Sequence, residues 1–174
     1  PAMRGYWVEW FRPLLQACKD AGVAPDFISW HNYGSDPTYM VTTAAEARKL
    51  CDEFGFAKCE LIANEWHYFG DNYSFSDFGK TDPQVFDRIW DGPDGHNGIR
   101  SAAYELTVMS NLQRSHLDQA YYYGHCPKGG YWSVVDDRCR PYKEYYALRR
   151  FGEILRDYQQ LCSAASEGNV TVFP

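Results

Sequence analysis

Several common features are missing from this chain. Its 174 residues contain no run of about 18–20 apolar residues, the length a membrane-spanning helix requires, so no membrane partner is expected. Basic side chains are the minority. The 17 Lys and Arg against 23 Asp and Glu leave a net charge of −6, which argues against a nucleic-acid partner because phosphate binding needs a basic face. No GxGxxG or Walker loop follows any apolar run, so the usual phosphate cradles are absent. The 6 cysteines form no CxxC pair and the 5 histidines form neither HExxH nor HxH. Without a familiar ligand spacing, neither a metal nor any other cofactor is expected. No basic segment followed by an apolar stretch opens the chain, and localisation stays open.

What is abundant is aromatic: 14 Tyr, 10 Phe and 6 Trp, more than a core of this size needs. Some of these rings are expected at a surface, where aromatic faces in a cleft suit flat, C–H-lined ligands such as sugars or unstacked bases. The acidic charge favours sugars. With 45% hydrophobic and 23% charged residues the chain reads as a packed globule, not a disordered one. Cys126 and Cys139 flank a Gly-rich excursion and either bridge its base or stay reduced, as buried cysteines commonly do. Asn72-Tyr-Ser and Asn169-Val-Thr match the short glycosylation pattern. Pro1 leads almost at once into helical sequence, and Asn169–Pro174 reads as a strand just starting. The chain is therefore read as a piece of a longer protein, with 164–174 opening a following β segment or accessory β domain.

Between the ends, helix and strand patterns alternate. Trp7, Trp10, Phe11, Leu14, Leu15 and Cys18 recur at helical spacing over 7–21, where Gly22 is placed to stop the helix and Pro13 marks a kink or a later start. Residues 26–31 form a short apolar run, as a buried strand does. A second helix is expected over 44–54 with Thr43 and Glu46 as a capping box, then a strand at 60–65. A long connection over 67–98 carries one helical turn near 83–90. A helix at 99–114, a strand at 117–124, a hairpin-like excursion at 125–141 and a helix at 143–162 complete the order. Such alternation implies parallel strands in a doubly wound sheet or a (β/α)8 barrel. Polar and aromatic residues gather at the strand C-termini: His31-Asn32-Tyr33, Asn64-Glu65-Trp66-His67 and Tyr121 to His125. In a barrel these share one mouth, where active sites are built. The expected fold is α/β, with 1–163 forming the C-terminal half of a TIM barrel, since a full barrel takes about 250 residues.

Glu65 is the sharpest candidate for chemistry. It ends an apolar run beside Trp66, a setting in which a carboxylate can attack a sugar's anomeric carbon or transfer a proton; the plainer role is a loop cap or an ion pair with Arg. His31 and Tyr33 are placed to hydrogen-bond Glu65 or a substrate hydroxyl. Trp66 is a sugar platform or packing beneath Glu65, and His67 beside it is a further substrate-binding candidate. Tyr123, His125, Tyr131 and Trp132 offer rings for stacking, Trp132 first among them. Asp136 and Asp137 read as solvated turn residues. A metal site from His31, His67 and His125 lacks any supporting spacing.

Three segments together resemble a known group. Asp26-Phe-Ile-Ser-Trp-His-Asn-Tyr33, Ile62-Ala-Asn-Glu-Trp-His67 and Arg140-Pro-Tyr-Lys-Glu-Tyr-Tyr-Ala147 are similar to successive segments of clan A glycoside hydrolases, most nearly family 39, which includes β-xylosidases and α-L-iduronidase. Family 51-like arabinofuranosidases pair similar His-x-Tyr and Glu-Trp strands. The resemblance implies that 26–31, 60–65 and 117–124 are the sixth, seventh and eighth barrel strands. It further implies that Glu65 is the nucleophile, that His31 and Tyr33 line the sugar subsite, and that Trp132 is an aromatic platform. Asn64-Glu65 also fits the Asn-Glu signature of the clan's acid/base on the fourth strand, but too little chain follows for that position. The implied reaction is retaining hydrolysis of a saccharide by double displacement, with the acid/base upstream of Pro1 and this piece alone inactive. A non-catalytic carbohydrate-binding barrel would use the same aromatics.

Overall fold

The computed structural model describes residues 6–78, 80, 82–124 and 133–157. The first helix, α1 (Tyr6–Asp20), retains Pro13 inside it. Gly22 ends it at φ +67°, a left-handed conformation that costs glycine little, and Val23 N–H returns to Cys18 O at 2.9 Å. Strand β1 (Phe27–Gly34) follows, then α2 (Tyr39–Glu53) and β2 (Glu60–Tyr68). Next come a 3-10 turn (Phe75–Asp77), α3 (Pro83–Ile89), α4 (Ile99–Leu112), β3 (Gln119–Tyr122) and α5 (Lys143–Asp157). The strands form one parallel sheet in the order β1-β2-β3. Among the described residues no helix is long and apolar enough to cross a membrane.

Two compact units divide the chain. The first holds residues up to 71 together with 111–123, and so contains the whole sheet. Its core joins Leu15 of α1, Ile28 and Trp30 of β1, Ala44, Ala47, Leu50 and Cys51 of α2, and Cys59 and Leu61 at the start of β2. Full burial of a Leu or Ile side chain stabilises by about 1.5–3 kcal/mol, so this layer fixes the helices on one face of the sheet. Arg48 of α2 locks the turn into β2. Its Nη1 and Nη2 donate to the carbonyls of Cys59 and Phe56, each at 2.7 Å, and its Nε to Asp52 at 3.0 Å. Asp118 secures the entry to β3 by accepting from Leu61 N–H at 2.8 Å.

The second unit comprises 72–110 and 124–157 of the described chain. Asp82 caps α3 by accepting from Gln84 N–H at 2.9 Å, with Pro83 opening the helix. Beyond α3 the chain folds back so tightly that a Cβ on Gly98 would lie 2.4 Å from Gly92 O. Tyr73, Phe78 and Trp90 pack their rings around the buried imidazole of His96. Buried Ser101 of α4 donates to buried Glu105 Oε1 at 3.4 Å and also neighbours buried Glu144 of α5.

Some expectations need correction. Helix α2 starts at Tyr39, not after Thr43, because Asp36 organises the entry: its Oδ1 accepts from Thr38 N–H at 2.9 Å and Thr38 Oγ1 at 2.7 Å. Thr43 is thus a buried position inside the helix and caps nothing. Both mouth-side strands run three residues past their expected ends. Asp136 is not a solvated turn residue. It is largely covered and accepts from the backbone N–H groups of Arg138 and Arg140 and from Arg140 Nε at 2.6 Å. The Arg140 bonds hold its carboxyl below the usual range. Cys139 is a free, exposed thiol at φ 59°. Cys126, His125, Tyr131, Trp132 and the boundary at 163/164 lie outside the described residues.

Candidate active site

The site is built by a break in the alternation of β2. Leu61 and Ala63 pair with Ile28 and Trp30 of β1, and all four are buried on the helix-covered face. Period-two alternation would send Glu65 to that same face. Instead the register jumps: Trp30 pairs with Ala63, but His31 pairs with Glu65, so Asn64 is an extra residue on β2. The same extra residue appears against β3, where Ala63 pairs with Ala120 and Trp66 with Tyr122. This β-bulge turns Glu65 away from the helices and onto the face that carries His31 and Tyr33. Bulges re-aim side chains in this way and are common beside active sites.

On that face three groups converge. Tyr33 Oη donates to Glu65 Oε2 at 2.7 Å, and His31 Nδ1 lies 3.1 Å from the same oxygen. Among the described residues both contacts fall on Oε2, and no hydrogen bond or ion pair reaches Oε1. The Glu65 side chain is 31% exposed and that of His31 51%, so the carboxylate is reachable from solvent while one of its oxygens is pinned. Burial, and then the adjacent Glu65 carboxylate, push the Tyr33 hydroxyl well above the ordinary tyrosine value. Tyr33 therefore remains a donor at any working pH. The ring of Tyr123 meets Tyr33 edge-on at 6.4 Å and is itself exposed, adding an aromatic surface beside the carboxylate.

Trp66 and His67 take a different place. Both are buried, at 3% and 2% exposure. His67 Nδ1 is 3.0 Å from Tyr68 O, a pure acceptor, so this nitrogen carries a proton. Nε2 lies 2.8 Å from Tyr122 Oη, whose ring also packs edge-on against Trp66 at 5.1 Å. The Trp66 and His67 side chains are packed inside the fold and present no ring to solvent. The sequence reading does not single out Tyr122; it stands in a run of three tyrosines whose separate roles only the pairing of β2 with β3 reveals. Past the strand ends, Ser35 Oγ donates to both carboxylate oxygens of Asp71 at 2.8 Å, tying together the loops after β1 and β2. Among the described residues no group of three or more His, Cys, Asp or Glu side chains is arranged to hold a metal ion.

No protein-family model matches the chain, and no curated protein matches it by sequence. Solved structures do. A glucosidase from Croceicoccus marinus superposes with a TM-score of 0.61 at 24% identity, covering 86% of this chain and 30% of that one. A monomeric β-xylosidase from Caulobacter crescentus gives a TM-score of 0.52 at 17% identity, covering 82% of this chain and 31% of its own. What is shared is the fold. This chain spans about a third of the length of either enzyme. Its helices and three-stranded parallel sheet correspond to part of a glycosidase fold, which favours the barrel over the doubly wound sheet.

Proposed function

We propose that this chain is the nucleophile-bearing part of a retaining glycoside hydrolase barrel, with Glu65 as the nucleophile. The observation that carries the reading is the placement of Glu65: a carboxylate in the C-terminal half of β2, turned out by a bulge, with one oxygen held by Tyr33 and His31 and the other contacted by no described residue. The likeness of fold to a glucosidase and a β-xylosidase supports it, as does the resemblance of the strand motifs to clan A and family 39.

In this reading Oε1 attacks the anomeric carbon as the glycosidic bond breaks, and a glycosyl ester forms on Glu65. Tyr33 and His31 hold the carboxylate in plane and limit its rotation, so the attacking lone pair is aimed before substrate arrives. Water then cleaves the ester with net retention. A second carboxyl, about 5–5.5 Å from the first, must protonate the leaving oxygen; we place it on another strand of the whole protein's barrel. Tyr123 offers a ring face to the sugar. The substrate class is an O-glycoside of β-xyloside or β-glucoside type.

The test is chemical rescue in the full-length protein. Glu65→Ala should abolish hydrolysis of aryl β-xylosides and β-glucosides. Added azide should restore aryl release, giving a glycosyl azide of inverted anomeric configuration. Unchanged hydrolysis in Glu65→Ala would overturn the assignment.

A further inference from the structure

Two thiols that take no part in this site share the core cluster of the first unit. Cys51 sits on the last turn of α2 and Cys59 immediately before β2; both are buried and both are free. Both belong to one packed cluster with Leu50 and Leu61, at the two ends of a single turn in which Phe56 O accepts from Cys59 N–H at 3.0 Å; the Cys59 thiol lies 3.8 Å from Glu60 O. The backbone holds them in place independently of the thiols. Between them the chain reverses through Gly55 at φ +88°, Phe56 N–H donates to Cys51 O at 2.8 Å, and Arg48 spans the carbonyls of Phe56 and Cys59. Cys18 and Cys139, by contrast, are at least partly exposed.

We propose that Cys51 and Cys59 are a disulfide-forming pair, oxidised by exchange with a small-molecule disulfide such as oxidised glutathione. In the first step the Cys51 thiolate attacks one sulfur of the small disulfide. That S–S bond breaks, one small thiolate leaves, and a mixed disulfide remains on Cys51. The Cys59 thiolate then attacks the Cys51 sulfur and expels the second small thiolate. Two protein thiols are oxidised, one small disulfide is reduced to two thiols, and the two protein protons pass to solvent and end on the released thiols. Burial governs the rate. It raises both thiols above their ordinary value, Cys59 to about 12, which suppresses the thiolate the exchange needs. Exchange therefore proceeds when the end of α2 opens locally, or before the core closes during folding. The product staples α2 to the head of β2, the strand that carries Glu65, and limits the freedom of the unfolded chain.

Trypsin provides a direct test, because Lys58 separates the two cysteines into peptides 50–58 and 59–80. The full-length protein is incubated with oxidised glutathione, quenched in acid, alkylated in denaturant and digested without reductant. The expected result is a joined ion of the two peptides that reductant converts to its halves, with Cys18 and Cys139 not joined to either. A thermal midpoint several degrees above that of the reduced protein accompanies it, and Cys51→Ser abolishes both the joined ion and the rise. Recovery of 50–58 and 59–80 as separate peptides, each alkylated or carrying glutathione, would overturn the proposal. So would either cysteine joined to Cys18. The wild-type map decides this even if Cys51→Ser fails to fold.

Discussion

Tyr33 and His31 reach one oxygen of Glu65 from the neighbouring strand, and their chemistry differs in a way that mutation can separate. The tyrosine is a permanent neutral donor, half-buried and shifted upward by its surroundings. Removing one oriented donor from a reacting carboxylate costs on the order of 10²-fold in turnover. Tyr33→Phe should therefore lower kcat by about 10–100-fold with KM changed little, as steady-state kinetics on an aryl glycoside would show. A rise in KM at constant kcat would instead make Tyr33 a simple binding contact. These residues are legible in the sequence because polar side chains at the end of apolar runs have few structural reasons to be there. Trp66 and His67 share that position and are buried nonetheless. Nothing local distinguishes them: both pack against Tyr122, 55 residues from His67 along the chain.

At the level of elements, long-range contacts decide what periodicity leaves open. The spacing of Leu61, Ala63 and Glu65 would by itself bury the carboxylate, and the extra residue Asn64 alters that only through pairing with both neighbouring strands. Helix α2 shows the opposite failing. Thr43 and Glu46 have the spacing of a capping box, but the turn at Asp36 starts the helix earlier, and the pattern has no terminus to cap. The turn after α2 rests on Arg48, so Arg48→Ala should lower unfolding free energy by about 1–3 kcal/mol, the typical effect of losing hydrogen bonds to a charged group. Denaturant titration measures it; no change would mean the turn is held by its backbone alone. In the second unit, Glu144 is buried and its Oε2 has no hydrogen-bond partner among the described residues. Burial pushes its carboxyl up to about 8, against smaller opposing contributions from hydrogen bonds by its own backbone and by Ser101. A raised carboxyl favours the protonated form in the fold. Its stabilisation is thus complete below the ordinary glutamate value and is lost as pH rises towards about 8. Thermal midpoints should fall over that window in the wild type and less so in Glu144→Gln. Parallel pH profiles for the two would remove Glu144 as the cause.

For the molecule as a whole, the alternation of helices and strands was readable because each element carries its own period, and the parallel sheet follows from it. The choice between barrel and open sheet is not a local property, and it rests on the likeness of fold to two glycosidases of roughly three times this length. In the proposed function the proton donor stands on another strand of the whole protein's barrel, and a nucleophile without it cannot complete a glycosidase cycle. The 174 residues expressed alone should accordingly release no aryl alcohol from aryl glycosides, and robust turnover by the isolated chain would contradict the barrel reading. The most direct measurement is covalent trapping in the full-length protein with 2-deoxy-2-fluoro-β-xyloside and -glucoside inactivators that carry a good leaving group. One sugar per protein is expected on the tryptic peptide 59–80, located at Glu65 by fragmentation, with activity lost in step with labelling. A label on any other carboxylate, or inactivation with peptide 59–80 unmodified, would contradict it.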